Sequence, residues 1–68
     1  MKISARNQLR GTVQSITRGE AIANVSLDVA GQRLVASITV EAVEELGLSE
    51  GSQVTAVVKA SDVMIATD

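Results

Sequence analysis

Two short stretches of this 68-residue sequence each bring a hydroxyl and a cation within two positions of one another, a combination that could do chemistry: Ser4-Ala5-Arg6-Asn7-Gln8 and Lys59-Ala60-Ser61. Together they carry two of the six basic residues, two hydroxyls and an Asn. In extended chain, side chains alternate, so Ser4 and Arg6 share one side, and Lys59 and Ser61 share a side by the same parity. Each stretch is then an arm bearing a hydroxyl and a cation, with backbone N–H groups between them. Such a set suits a small tetrahedral oxyanion. A dianion with four oxygens only accepts hydrogen bonds, so it needs donors on several sides. Each charge-assisted bond contributes about 1.5–3 kcal/mol, and micromolar affinity needs about 8 kcal/mol, so four or five contacts suffice after some ordering cost.

Taken singly, these residues have plainer readings. Arg6 or Lys59 alone is a solvated surface cation, and Ser4 or Ser61 alone is a turn or edge residue. Asn7 and Gln8 read as structural, pairing backbone near the start of a strand. Glu41, Glu44 and Glu45 read as a solvated helix face without an acid–base partner. Only the joint occurrence of the two arms points to a site.

Composition narrows the alternatives. The sequence has no Phe, Trp, Tyr, Cys, His or Pro, so imidazole or thiol catalysis and Cys/His zinc sites are excluded. The inventory argues against an enzyme. No protein-coordinated metal is expected, and no organic cofactor. The formal net charge of −2 offers no field attracting nucleic acid or anionic membrane. Met1-Lys2 runs into mixed polar sequence with no apolar run long enough for a signal segment or a membrane span, so the default location is cytoplasmic. Residues 1–68 read as a single domain. Below roughly 70–80 residues a core without a disulfide or metal rarely supplies more than about 3–5 kcal/mol, so oligomerisation is expected.

The elements that must position the arms follow from periodicity. Leu9, Gly11 and Val13 alternate as a strand, and Ile16 breaks that parity, which predicts a bulge near Gln14-Ser15. Thr17–Glu20 reads as a turn. Ala21, Ala23, Val25, Leu27 and Val29 form the cleanest alternation, and Ala30-Gly31-Gln32 reads as a hairpin connection. Arg33–Thr39 resumes the alternation with Leu34, Ala36 and Ile38 inward. Val40, Val43 and Leu46 are then spaced by three, which predicts a short helix with Thr39 as N-cap, Gly47 just past its end and Leu48 packing back. Ser49–Ser52 reads as a turn, Val54–Lys59 as a fourth strand, and Val63–Ala66 as a short fifth strand or edge addition. Three strands, a short helix and two strands is the order of an all-β, OB-like five-stranded barrel with its helix between strands 3 and 4.

Met1-Lys2-Ile3-Ser4-Ala5-Arg6-Asn7-Gln8-Leu9 closely resembles the opening of the molbindins, the small molybdate-binding (Mop) proteins. Val57-Val58-Lys59-Ala60-Ser61-Asp62-Val63 resembles their closing motif, and Glu44-Glu45-Leu46-Gly47-Leu48 falls at the matching place between. The resemblance covers essentially the whole chain and suggests the single-domain form. It implies an OB-like fold in which protomers exchange an end strand, and a hexamer built as a trimer of dimers. It also implies molybdate or tungstate bound between subunits by hydrogen bonds and basic side chains, for intracellular storage, buffering or homeostasis. By motif position the implied ligand set is Ser4, Ala5 through its backbone, Arg6, Lys59, Ala60 through its backbone, and Ser61. Thr39 matches a hydroxyl position at the end of the third strand. Ala42 stands where family members often have Ser.

Two other readings compete. OB domains often bind single-stranded nucleic acid, but they stack bases on aromatics in a basic groove, and this chain has no aromatics and an acidic balance. A structural or regulatory dimerisation domain fits the Leu46–Gly51 pattern but leaves the Ser4–Gln8 string unexplained.

Overall fold

A computed structural model describes residues 2–68; Met1, the first residue of the opening string, lies outside the described residues. The architecture is all-β with one short helix. Strands β1 (Asn7–Arg18), β2 (Ile22–Val29) and β3 (Gln32–Thr39) are followed by helix α1 (Val40–Glu45) and strand β4 (Gln53–Val58). The four strands form one antiparallel sheet in the order β3-β2-β1-β4.

Strand β1 is the spine of this sheet. Its first half pairs with β4, from Asn7↔Val58 to Thr12↔Gln53, and its second half pairs with β2, from Thr12↔Asp28 to Arg18↔Ala23. The expected bulge is present, as a register shift between Val13 and Ser15. It is what lets both Val13 and Ile16 face the core despite their odd spacing. The turn after β1 comes later than expected: the strand continues to Arg18, and the Gly19 N–H donates to the Ile22 carbonyl at 2.8 Å. The pleat of β2 buries Ala23, Val25 and Leu27, as its alternation requires. Ala21 falls outside this set, exposed ahead of the strand, where its carbonyl accepts the Val40 N–H at 2.8 Å. Ala30 and Gly31, both at positive φ (51° and 83°), close the β2–β3 hairpin. That two-residue geometry matches the right-handed twist of the flanking strands.

Helix α1 plugs one end of the sheet with Val43, which is fully buried against Val13, Val25 and their neighbours. Gly47 takes a left-handed φ of 63° just beyond the helix, and the Leu48 N–H returns to the Val43 carbonyl at 3.0 Å. This reversal swings Leu48 back onto the core. Leu46 does not follow its spacing inward; it is 69% exposed. The helix ends at Glu45, so the periodicity of three no longer governs where Leu46 points.

The largest departure concerns closure. Val63–Ala66 forms no strand within its own chain, and Met64 and Ile65 are 92% and 86% exposed. A 3₁₀ turn at Ala60–Asp62 carries the chain away from β4. Strands β3 and β4 therefore both remain edges. An apolar cleft of about 300 Å³ lies between them, lined by Leu34, Ala36 and Ile38 of β3 and by Val54, Ala56 and Val58 of β4.

Candidate functional site

The two arms leave the sheet at one end of the β1–β4 pair. Asn7 and Val58 are the outermost paired residues, so Ser4-Ala5-Arg6 lies just before one and Lys59-Ala60-Ser61 just after the other. Antiparallel pairing brings together segments more than fifty positions apart in the chain. The Asn7 side chain reinforces the junction, its Nδ2 donating to the Val58 carbonyl at 3.2 Å.

Neither arm is extended, so the parity expectation is corrected on both sides. The backbone bends at Ser4 and at Arg6, and β1 begins only at Asn7. The Gln8 amide reaches back to the Ala5 carbonyl at 3.4 Å across this bend. On the second arm Lys59 caps the 3₁₀ turn, and the Asp62 N–H donates to the Lys59 carbonyl at 2.9 Å. Ser61 sits inside that turn. Bends and tight turns suit the expected chemistry better than strands do, because several successive N–H groups can then face one concavity.

Ser4, Arg6, Lys59, Ala60 and Ser61 are all exposed, and Ala5 is half-buried. The cations and hydroxyls are thus free to meet a ligand. Arg6 immediately precedes Asn7 and Lys59 immediately follows Val58, so the two cations leave the sheet from neighbouring strand ends. Like charges so placed repel each other, and an anion between them relieves that repulsion. Among the described residues no group of His, Cys, Asp or Glu is arranged to hold a metal ion.

Thr39 is not brought to the arms. It pairs with Ile22, beside the turn that follows Arg18, whereas the arms extend from the Asn7 end. The length of the 12-residue β1 lies between. Thr39 Oγ1 caps α1, accepting the Ala42 N–H at 3.0 Å, while its own proton stays free to donate. Sequence reasoning gave Asn7 and Gln8 only a strand-start role. Their cross-arm and back-reaching bonds depend on pairing and bends that no local pattern encodes.

Residues 3–65 match the TOBE domain. Molybdenum-pterin-binding protein 2 of Clostridium pasteurianum is 52% identical over 66 residues, which cover 96% of this chain and 97% of that protein. Among solved structures, a molybdate-binding protein from Sporomusa ovata superposes with a TM-score of 0.95 at 43% identity, covering 98% of this chain and all of the other. The cytoplasmic molybdate-binding protein ModG, in a form with molybdate bound, superposes with a TM-score of 0.90 at 45% identity, over 94% of this chain and 46% of the other. The resemblance carried by the two arms thus extends through the whole fold, and the chain belongs to the TOBE-domain family, among the molbindins.

Proposed function

We propose that this protein binds molybdate, and tungstate by the same chemistry, as a hydrogen-bonded oxyanion for intracellular storage, buffering or homeostasis. It acts as a binding protein rather than an enzyme, and one domain over residues 1–68 carries the function. The observation that supports this most is the Asn7↔Val58 pair, which delivers both arms to one end of the sheet. Arg6 and Lys59 supply charge. Ser4 and Ser61 supply hydroxyl donors, and the Ala5 and Ala60 N–H groups supply backbone donors. The structural neighbours described as molybdate-binding, with relatives named for binding molybdenum-pterin, favour molybdate as the anion, and ModG's description as cytoplasmic favours the same location here.

The site is shared between subunits. Support comes from the position of Thr39: its hydroxyl reaches the arms only if they belong to another chain, because β1 separates them within one protomer. Strand exchange is the route to such an interface. The cleft between β3 and β4 is apolar and lacks a strand, while Val63-Met64-Ile65 is an exposed apolar segment. The two complement each other, and a partner's segment in the cleft closes a five-stranded barrel while removing both open edges. Three such dimers form the hexamer. Because binding spans the interface, ligand stabilises the assembly by linkage.

Calorimetric titration with molybdate, tungstate, sulfate and phosphate, with native mass spectrometry on the same sample, tests the reading. Binding of the two larger oxyanions to an oligomer is the expected result. Absence of heat with molybdate at micromolar protein would rule it out.

A further inference from the structure

We infer that Asn7 is a positioning residue for the oxyanion site, holding the second arm in place without touching the ligand; this rests on the oxyanion reading above. The bond from Asn7 Nδ2 to the Val58 carbonyl, at 3.2 Å, joins residues 51 positions apart and is half-buried. Its acceptor belongs to the last peptide before the second arm. A peptide unit is planar and trans, so holding the Val58 carbonyl also fixes the Lys59 N–H, which points the opposite way in the same plane. The plane at Val58–Lys59 in turn sets the direction in which Lys59, Ala60 and Ser61 leave β4. It also keeps a carbonyl oxygen, which repels an anion, engaged with a donor.

Beyond Val58 the backbone offers no ladder bond to do this work. Pairing with β1 stops at Asn7, and the chain then enters the 3₁₀ turn at Ala60–Asp62. The Asn7↔Val58 pair is the last restraint that β1 applies before the arm begins, and the Asn7 side-chain amide adds a donor to the Val58 carbonyl. Gln8 does the same for the first arm in a weaker form, its Nε2 donating to the Ala5 carbonyl at 3.4 Å from an exposed position. Adjacent residues on β1 thus restrain one peptide plane in each arm. An Ala or a Leu at position 7 keeps the strand start and loses the donor, and Leu keeps the branched shape at Cγ.

The test is titration of wild type, Asn7→Ala and Asn7→Leu with molybdate, alongside melting temperature and native mass without ligand. At least tenfold weaker binding in both variants is expected, with the assembly unchanged and the melting temperature lowered by no more than the several degrees that one lost hydrogen bond costs. A double-mutant comparison separates positioning from general damage. Asn7→Ala should cost much less than tenfold in a Lys59→Ala background, because the arm it orients has lost its charge. It should keep its full cost in an Arg6→Ala background, since Arg6 is on the other arm. Binding within threefold of wild type overturns the inference. So does a loss that adds in full to both partners, or one accompanied by a changed assembly or by a fall in melting temperature well beyond that of one hydrogen bond. If wild type itself gives no heat with molybdate, the oxyanion reading has failed and the role of Asn7 falls with it; normal wild-type binding with indifferent variants rejects Asn7 alone.

Discussion

Thr39 Oγ1 accepts the Ala42 N–H at 3.0 Å, so the residue that ends β3 also begins α1. Thr39 is thereby a helix cap first and a ligand candidate second, and the two roles use different parts of the hydroxyl. Capping uses an oxygen lone pair, whereas an oxyanion takes the proton. Thr39→Ala removes both and should cost about 1 kcal/mol of stability. Thr39→Ser should restore stability and molybdate affinity together. Denaturant unfolding with parallel titration checks this. A destabilised Thr39→Ala protein with unaltered affinity would leave Thr39 as a cap only.

Arg6→Ala and Lys59→Ala should each weaken molybdate binding at least tenfold, about 1.4 kcal/mol, while the ligand-free oligomer persists. Both side chains are exposed, so truncation removes charge without opening a cavity. Raising the salt concentration should weaken the wild-type protein more than either variant, because the variants retain fewer charged contacts to screen. Wild-type affinity in both would mean that the site lies elsewhere.

Gly11 lies where β1 turns from one partner strand to the other. A Cβ there would stand 2.9 Å from the Asp28 carbonyl oxygen and 3.0 Å from Val29 Cγ2. The carbonyl is backbone within a paired strand and cannot swing aside. Gly11→Ala should therefore cost about 1–3 kcal/mol through forced separation of β1 and β2, despite the gain in strand propensity. Thermal unfolding reads this out, and an unchanged midpoint would show that the strands part freely.

Ile65 is 86% exposed in the protomer. A polar substitution at such a site ordinarily changes stability by less than about 0.5 kcal/mol. If the segment docks in a partner's cleft, Ile65→Asp places a charge against apolar residues and should shift the assembly toward smaller species. Native mass spectrometry at micromolar concentration distinguishes the two cases. An intact oligomer would remove the segment from the interface.

What the sequence alone determined here is local. Alternation located four strands, the parity break at Ile16 located the bulge, and Thr39 and Gly47 bracketed the helix, because each signal depends on neighbours a few residues apart. The residue types in the arms were legible for the same reason, and the family resemblance rests on them. The side each arm presents was not legible: bends at Ser4 and Arg6 and the 3₁₀ turn at Ala60–Asp62 replaced the extended geometry that parity assumes. Tertiary pairing alone decided that Asn7 meets Val58, that Thr39 stands at the far end of β1, and that Val63–Ala66 finds no edge in its own chain. Register between distant strands is set by the twist and length of the whole sheet and by the core it must cover. No short stretch of sequence contains that information.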